Sequence, residues 1–66
     1  MRLRIVFDDD RFILSNKFAE TSDEVVIDGV EAFIQGQAQM LSFMVGENTV
    51  YLPPQILDKS YIVLEK

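Results

Sequence analysis

Apolar and polar positions alternate from the start of the chain. Over Arg2–Phe7, Leu3, Ile5 and Phe7 take every second position, the period of a β-strand. A second alternating run covers Arg11–Asn16, with Phe12 and Leu14 on one face and Ile13 on the other. If Asp9-Asp10 is the turn, Phe7 faces Phe12, Val6 faces Ile13, Ile5 faces Leu14, and Asp8 faces Arg11 as an opposite-charge pair. A four-residue loop, Asp8–Arg11, fits these residues equally well. Lys17–Asp23 is polar and reads as a loop, and the short β-branched run Glu24–Ile27 reads as a third strand.

Residues 28–46 admit two readings. Asp28-Gly29 between Ile27 and Val30 is a hairpin signal. Asp28 with Glu31 three residues later is also a capping box. Projection at helical spacing favours the second. Val30, Phe33, Ile34, Ala38, Met40, Leu41, Met44 and Val45 fall in one arc, and Glu31, Gln35, Gln39 and Ser42 fall opposite. The pattern predicts a helix over about 29–45, with Gly36 inside it and Gly46 as its stop. Asn48–Leu52 reads as a strand ended by Pro53-Pro54. Gln55–Lys59 is a loop or one helical turn. Ser60–Glu65 is a last strand, with Ile62 and Leu64 on one face and Tyr61 and Val63 on the other. The expected fold is α+β: a small antiparallel sheet with one amphipathic helix packed on it, in the order β-β-β-α-β-β.

Length adds a constraint. With 66 residues the chain is expected to be a single domain, residues 1–66. A domain this small buries only about 60% of the surface its unfolded chain exposes. Cysteine and histidine are absent, so neither a disulfide nor a histidine-bearing zinc site supports it. What remains is a well-packed core or self-association, and a homodimer is among the expectations.

Charge makes the picture lopsided. Residues 8–31 carry eight acids against Arg11 and Lys17, a net of −6, and the rest of the chain nets +1. Such a surface disfavours direct nucleic-acid binding and favours a partner protein with a basic surface. No segment is long and apolar enough for a membrane span, and the N-terminal run lacks a signal-peptide cleavage site, so a cytoplasmic location is expected.

Catalytic equipment is sparse. Nucleophile–base pairs built on His or Cys are excluded, and the three glycines make no phosphate loop. No cofactor is implied and an enzyme is not expected. Asp8-Asp9-Asp10 offers hard oxygens to a divalent cation, but adjacent turn residues diverge and read as a solvated turn. The leading expectation is a non-catalytic protein–protein interaction module, a small regulator or inhibitor acting as a dimer. Two contact surfaces are candidates. One is an acidic face of Asp8, Asp9, Asp10, Asp23, Glu24, Asp28 and Glu31. The other is a helix surface of Ala32, Gly36 and Gln39 with Phe43 as an apolar knob. An acidic nucleic-acid mimic of phage or mobile-element type is the first alternative, and a small carboxylate or divalent-metal site protein is the second.

Overall fold

Backbone hydrogen bonding in the first hairpin is set by three residues rather than two. The computed structural model describes residues 1–66, and in it β1 (Arg2–Phe7) pairs antiparallel with β2 (Phe12–Leu14). The Phe7 N–H donates to the Arg11 carbonyl at 2.8 Å, and the Asp10 N–H donates to the Phe7 carbonyl at 3.1 Å. Asp10 has φ of 69°, the left-handed region that a three-residue hairpin loop places at its last position. The register is therefore Val6 with Phe12, Ile5 with Ile13 and Arg4 with Leu14. This is one residue away from the expected Phe7–Phe12 pairing. The single step turns Phe12 and Leu14 to the opposite face from Ile5. Arg11 pairs with Asp9 instead of Asp8.

The expected third strand at Glu24–Ile27 is helical. Helix α1 spans Asp23–Ile34, so the expected 29–45 helix starts six residues earlier and stops eleven earlier. Val26, Val30 and Phe33, spaced i, i+4, i+7, form the stripe that meets the core, and this outweighs the weak strand preference of the valines. Asp23 and Glu24 lie in the first turn, where carboxylates favour the positive end of the helix dipole. Asp28 and Glu31 lie in the helix interior and cap nothing. Gly36 is the stop. At φ 79° it lets its own N–H reach the Phe33 carbonyl (3.2 Å) and the Gln37 N–H reach the Ala32 carbonyl (2.8 Å), a Schellman closure.

The second half of the expected helix is a strand. In β3 (Leu41–Val45), Leu41 and Phe43 are buried while Ser42 and Met44 are exposed. One helical window had covered two elements, each with its own period. Gly46, φ 62°, takes the first position of the two-residue turn into β4 (Asn48–Leu52). A 3-10 turn follows at Pro54–Asp58, and β5 (Ser60–Glu65) returns to pair with β1 along its whole length. The architecture is α+β, with antiparallel strands and one helix packed on them, and the order is β-β-α-β-β-β.

Two sheets result, β2-β1-β5 and β3-β4. They are joined where the chain leaves β2: the Asn16 N–H donates to the Met44 carbonyl at 2.8 Å. The core between them is Leu3 and Ile5 from β1, Val30 and Phe33 from α1, Leu41 and Phe43 from β3, and Leu52 from β4. Buried Ser15 accepts the Leu3 N–H at 2.8 Å and donates to the Asn16 carbonyl at 2.9 Å. No helix is long and apolar enough to cross a membrane.

Candidate functional site: the outer face of the β2-β1-β5 sheet

Strands β1 and β5 are apolar on both faces, but the helix side of the sheet covers only one. Leu3 and Ile5 point into the core, so Arg2, Arg4 and Val6 point outward. The registers extend this outer face across three strands. Phe12, Val6 and Tyr61 form one row, and Leu14, Arg4 and Val63 form the next. Phe12 is 55% exposed and Tyr61 60%, while Val6, Leu14 and Val63 are half-buried. The Arg4 guanidinium lies over the Phe12 ring, 5.1 Å from its centroid.

The two ends of this face differ in charge. At the Arg2 end, the Glu65 carboxylate accepts from Arg2 Nε at 2.9 Å and pairs with Arg4 at 2.6 Å. One carboxylate thus holds two guanidiniums. At the other end is the exposed Asp8–Asp10 turn. The Asp9 carboxylate receives the Arg11 backbone N–H at 3.2 Å and Arg11 Nε at 2.6 Å. These contacts, the backbone N–H first, hold the Asp9 carboxyl below its ordinary pKa.

Other acids sit elsewhere. Glu24, Asp28 and Glu31 recur at helical spacing on the solvent side of α1 and are exposed. Asp23 is half-buried at the helix start, with Oδ1 withdrawn from water and without a hydrogen-bond partner. The proposed acidic face is thus divided between the hairpin turn and α1, and no ion pair or side-chain hydrogen bond links the two groups. Three or more carboxylates converge nowhere in a metal-holding group.

No known protein family, curated protein or solved structure matches the chain.

The expected helix surface does not exist as one face. Phe43 is 4% exposed, in the core on β3, because strand alternation points it inward. Gly36 and Gln39 are exposed in the segment after α1. Ala32 alone remains on the helix, where with Val25, Gly29, Ala38 and Met40 it lines an apolar groove of about 330 Å³. That groove has no charged side chain. The outer sheet face has aromatics, a stacked arginine and charged ends. Its sequence signal was present in Ile5-Val6-Phe7 and Tyr61-Ile62-Val63-Leu64, runs apolar on both faces in a chain with one helix to cover them.

Proposed function

We propose that this chain is a non-catalytic protein-binding module whose docking surface is the outer face of the β2-β1-β5 sheet. The observation that carries the reading is the row Phe12–Val6–Tyr61, which leaves two aromatic residues more than half exposed, one on each side of Val6. Rigid aromatic anchors beside an arginine are the composition of binding hot spots. The acid turn at one end of this face selects a partner whose apolar contact strip is flanked by basic residues. The test compares the chain with its Phe12→Ser/Tyr61→Ser variant in co-purification from its native cell. The expected result is loss of the bound protein with melting behaviour retained. A partner held equally by both chains would count against this face.

A second reading, an acidic mimic of nucleic acid, has one observation in its favour. Of the eight acids between residues 8 and 31, only Asp9 has an ion-pair partner. In this reading Glu24, Asp28 and Glu31 meet a basic groove, and binding weakens steeply with salt. Neutralising these three acids without effect on binding would remove it.

A further inference from the structure

The free edge of β5 is the longest unpaired strand edge in the molecule, and its backbone pattern can be read residue by residue. Just beyond the paired residues, the Asp8 N–H donates to the Lys59 carbonyl at 3.0 Å, while the Lys59 N–H turns back to the Ile56 carbonyl at 3.1 Å; the first bond sets the phase of the β1–β5 ladder. Alternation then makes Val6–Tyr61, Arg4–Val63 and Arg2–Glu65 the bonded pairs. The backbone groups of Ser60, Ile62 and Leu64 therefore point away from β1. β1 is the only strand hydrogen-bonded to β5.

This edge lacks the usual protection. Its six residues, Ser60–Glu65, contain no proline, glycine or bulge, and charge is confined to the ends of the strand. The other edges are poorer templates. β2 has three residues and continues into the Asn16 link to β3. β4 has five residues and runs into Pro53-Pro54.

We propose that β5 pairs antiparallel with β5 of a second copy, joining two three-stranded sheets into one across a two-fold axis that passes between the two Ile62 residues. The ladder demands that Ser60, Ile62 and Leu64 bond among themselves, so the register can slide only in two-residue steps. With Ile62 opposite the partner's Ile62, about six backbone hydrogen bonds form. Tyr61 then lies opposite the partner's Val63, and Lys59 opposite the partner's Glu65. Slipping two residues either way sets Lys59 against the partner's Val63, or Tyr61 against the partner's Glu65, and loses the ion pair.

Charge complementarity extends across both subunits in this register. Asp8 is opposite Lys59 and Arg2 is opposite Glu65 within each chain. The row across four strands is then Asp8, Lys59, the partner's Glu65 and the partner's Arg2, alternating in sign at every step. By symmetry the row occurs twice. The same pairing places both outer faces on one side of the joined sheet, so the aromatic surface is doubled. The proposal stands apart from the docking reading, because it uses the strand edge and needs no foreign partner.

The chain has no cysteine, so introduced thiols report without background. Tyr61→Cys and Val63→Cys are both on the outer face. Across the dimer Tyr61 and the partner's Val63 form a non-hydrogen-bonded pair with Cα atoms about 4.5 Å apart, inside the range of about 4.4–6.8 Å that a disulfide spans. Copies of one variant place their thiols on a diagonal about 7–8 Å apart. Under mild oxidation the mixed variants are expected to cross-link, and each variant alone is expected to lag far behind. Sedimentation of the unmodified chain is expected to show twice the 7.6 kDa chain mass, with dissociation on the order of tenfold easier in Lys59→Glu. A chain that stays monomeric at every concentration overturns the proposal. So does a dimer that cross-links equally well with one variant alone, that does not cross-link at all, or that is indifferent to Lys59→Glu.

Discussion

The side chain of Asn16 is bonded in both directions to the backbone of Gly46, thirty residues away. Its Nδ2 donates to the Gly46 carbonyl at 2.8 Å, and its Oδ1 accepts the Gly46 N–H at 2.9 Å. A carboxamide matches a peptide unit in this geometry, so Asn16 acts as one residue of an extra strand between the two sheets. Asn16→Asp keeps the shape and loses the donor, and Asn16→Ala loses both bonds. Asn16→Ala is expected to cost about 1–2 kcal/mol in urea unfolding, since each net hydrogen bond contributes about 0.5–1.5 kcal/mol. Faster amide exchange at Gly46 should accompany it. A variant as stable as the parent would show that the Asn16 N–H to Met44 bond alone joins the sheets.

Ser15 makes a complementary prediction inside the core. Its hydroxyl satisfies the buried Leu3 N–H. Ser15→Ala strands that donor, and thermal or urea unfolding should register a loss of about 1–3 kcal/mol. Ser15→Thr retains the acceptor and should recover part of it.

Two glycines should respond to alanine in opposite directions. Gly29 is within α1, and a Cβ there would meet nothing within 4 Å. Gly29→Ala is expected to stabilise by about 0.5–1 kcal/mol through helix propensity. Gly36 sits at φ 79°, where an L side chain crowds the following carbonyl. Gly36→Ala is expected to destabilise by about 1–2 kcal/mol. D-alanine at position 36, accessible in a synthetic chain of this length, should be at least neutral. Equal effects at both positions would contradict the helix end described above.

Phe33 is wholly buried, at 0% exposure. Removing a buried phenylalanine ring costs about 3–5 kcal/mol, and a domain of this size has roughly 3–10 kcal/mol in all. Circular dichroism of Phe33→Ala should show a chain unfolded or close to it at room temperature, while Phe33→Leu should stay folded.

The acid turn has a pH signature. The Asp9 carboxyl is depressed by its Arg11 contacts, so its ionised form favours the folded turn. That contribution is fully present above the unfolded carboxylate pKa of about 3.9. It is lost as pH falls through the lower folded value. Asp9 is exposed, so the change should be local. Chemical shifts of the Arg11 amide should follow the Asp9 titration below about pH 4, and Asp9→Asn should flatten that response. A titration of Asp9 at or above the ordinary carboxylate value would contradict the turn geometry.

Local pattern was legible wherever one period belonged to one element. Arg2–Phe7, Asn48–Leu52 and Ser60–Glu65 are strands at the bounds their alternation implies, and Pro53-Pro54 ends β4. The helix was legible as an element but not in its limits. Val30–Ile34 and Leu41–Val45 are both apolar, and a single window merged helical and alternating periods across Gly36. Gly36 fits inside a helical pattern because a left-handed φ leaves no mark in sequence distinct from an ordinary glycine. The first hairpin shows the same limit at smaller scale. Three consecutive aspartates supply turn residues for a two-, three- or four-residue loop, and the left-handed Asp10 selects the three-residue one.

Sequence by itself determined the material of this protein: an antiparallel α+β chain with one apolar helix stripe, the acid imbalance of residues 8–31, and no cysteine or histidine. Tertiary structure decided where those features point. The one-residue register step placed Phe12 beside Val6 and Tyr61 on the solvent side, and strand alternation buried Phe43. The physical reason is that composition and local period are properties of neighbouring residues. A shared face depends on pairing between β1, β2 and β5, with partners up to 63 residues apart, fixed by burial of Leu3, Ile5 and Phe33 in one core.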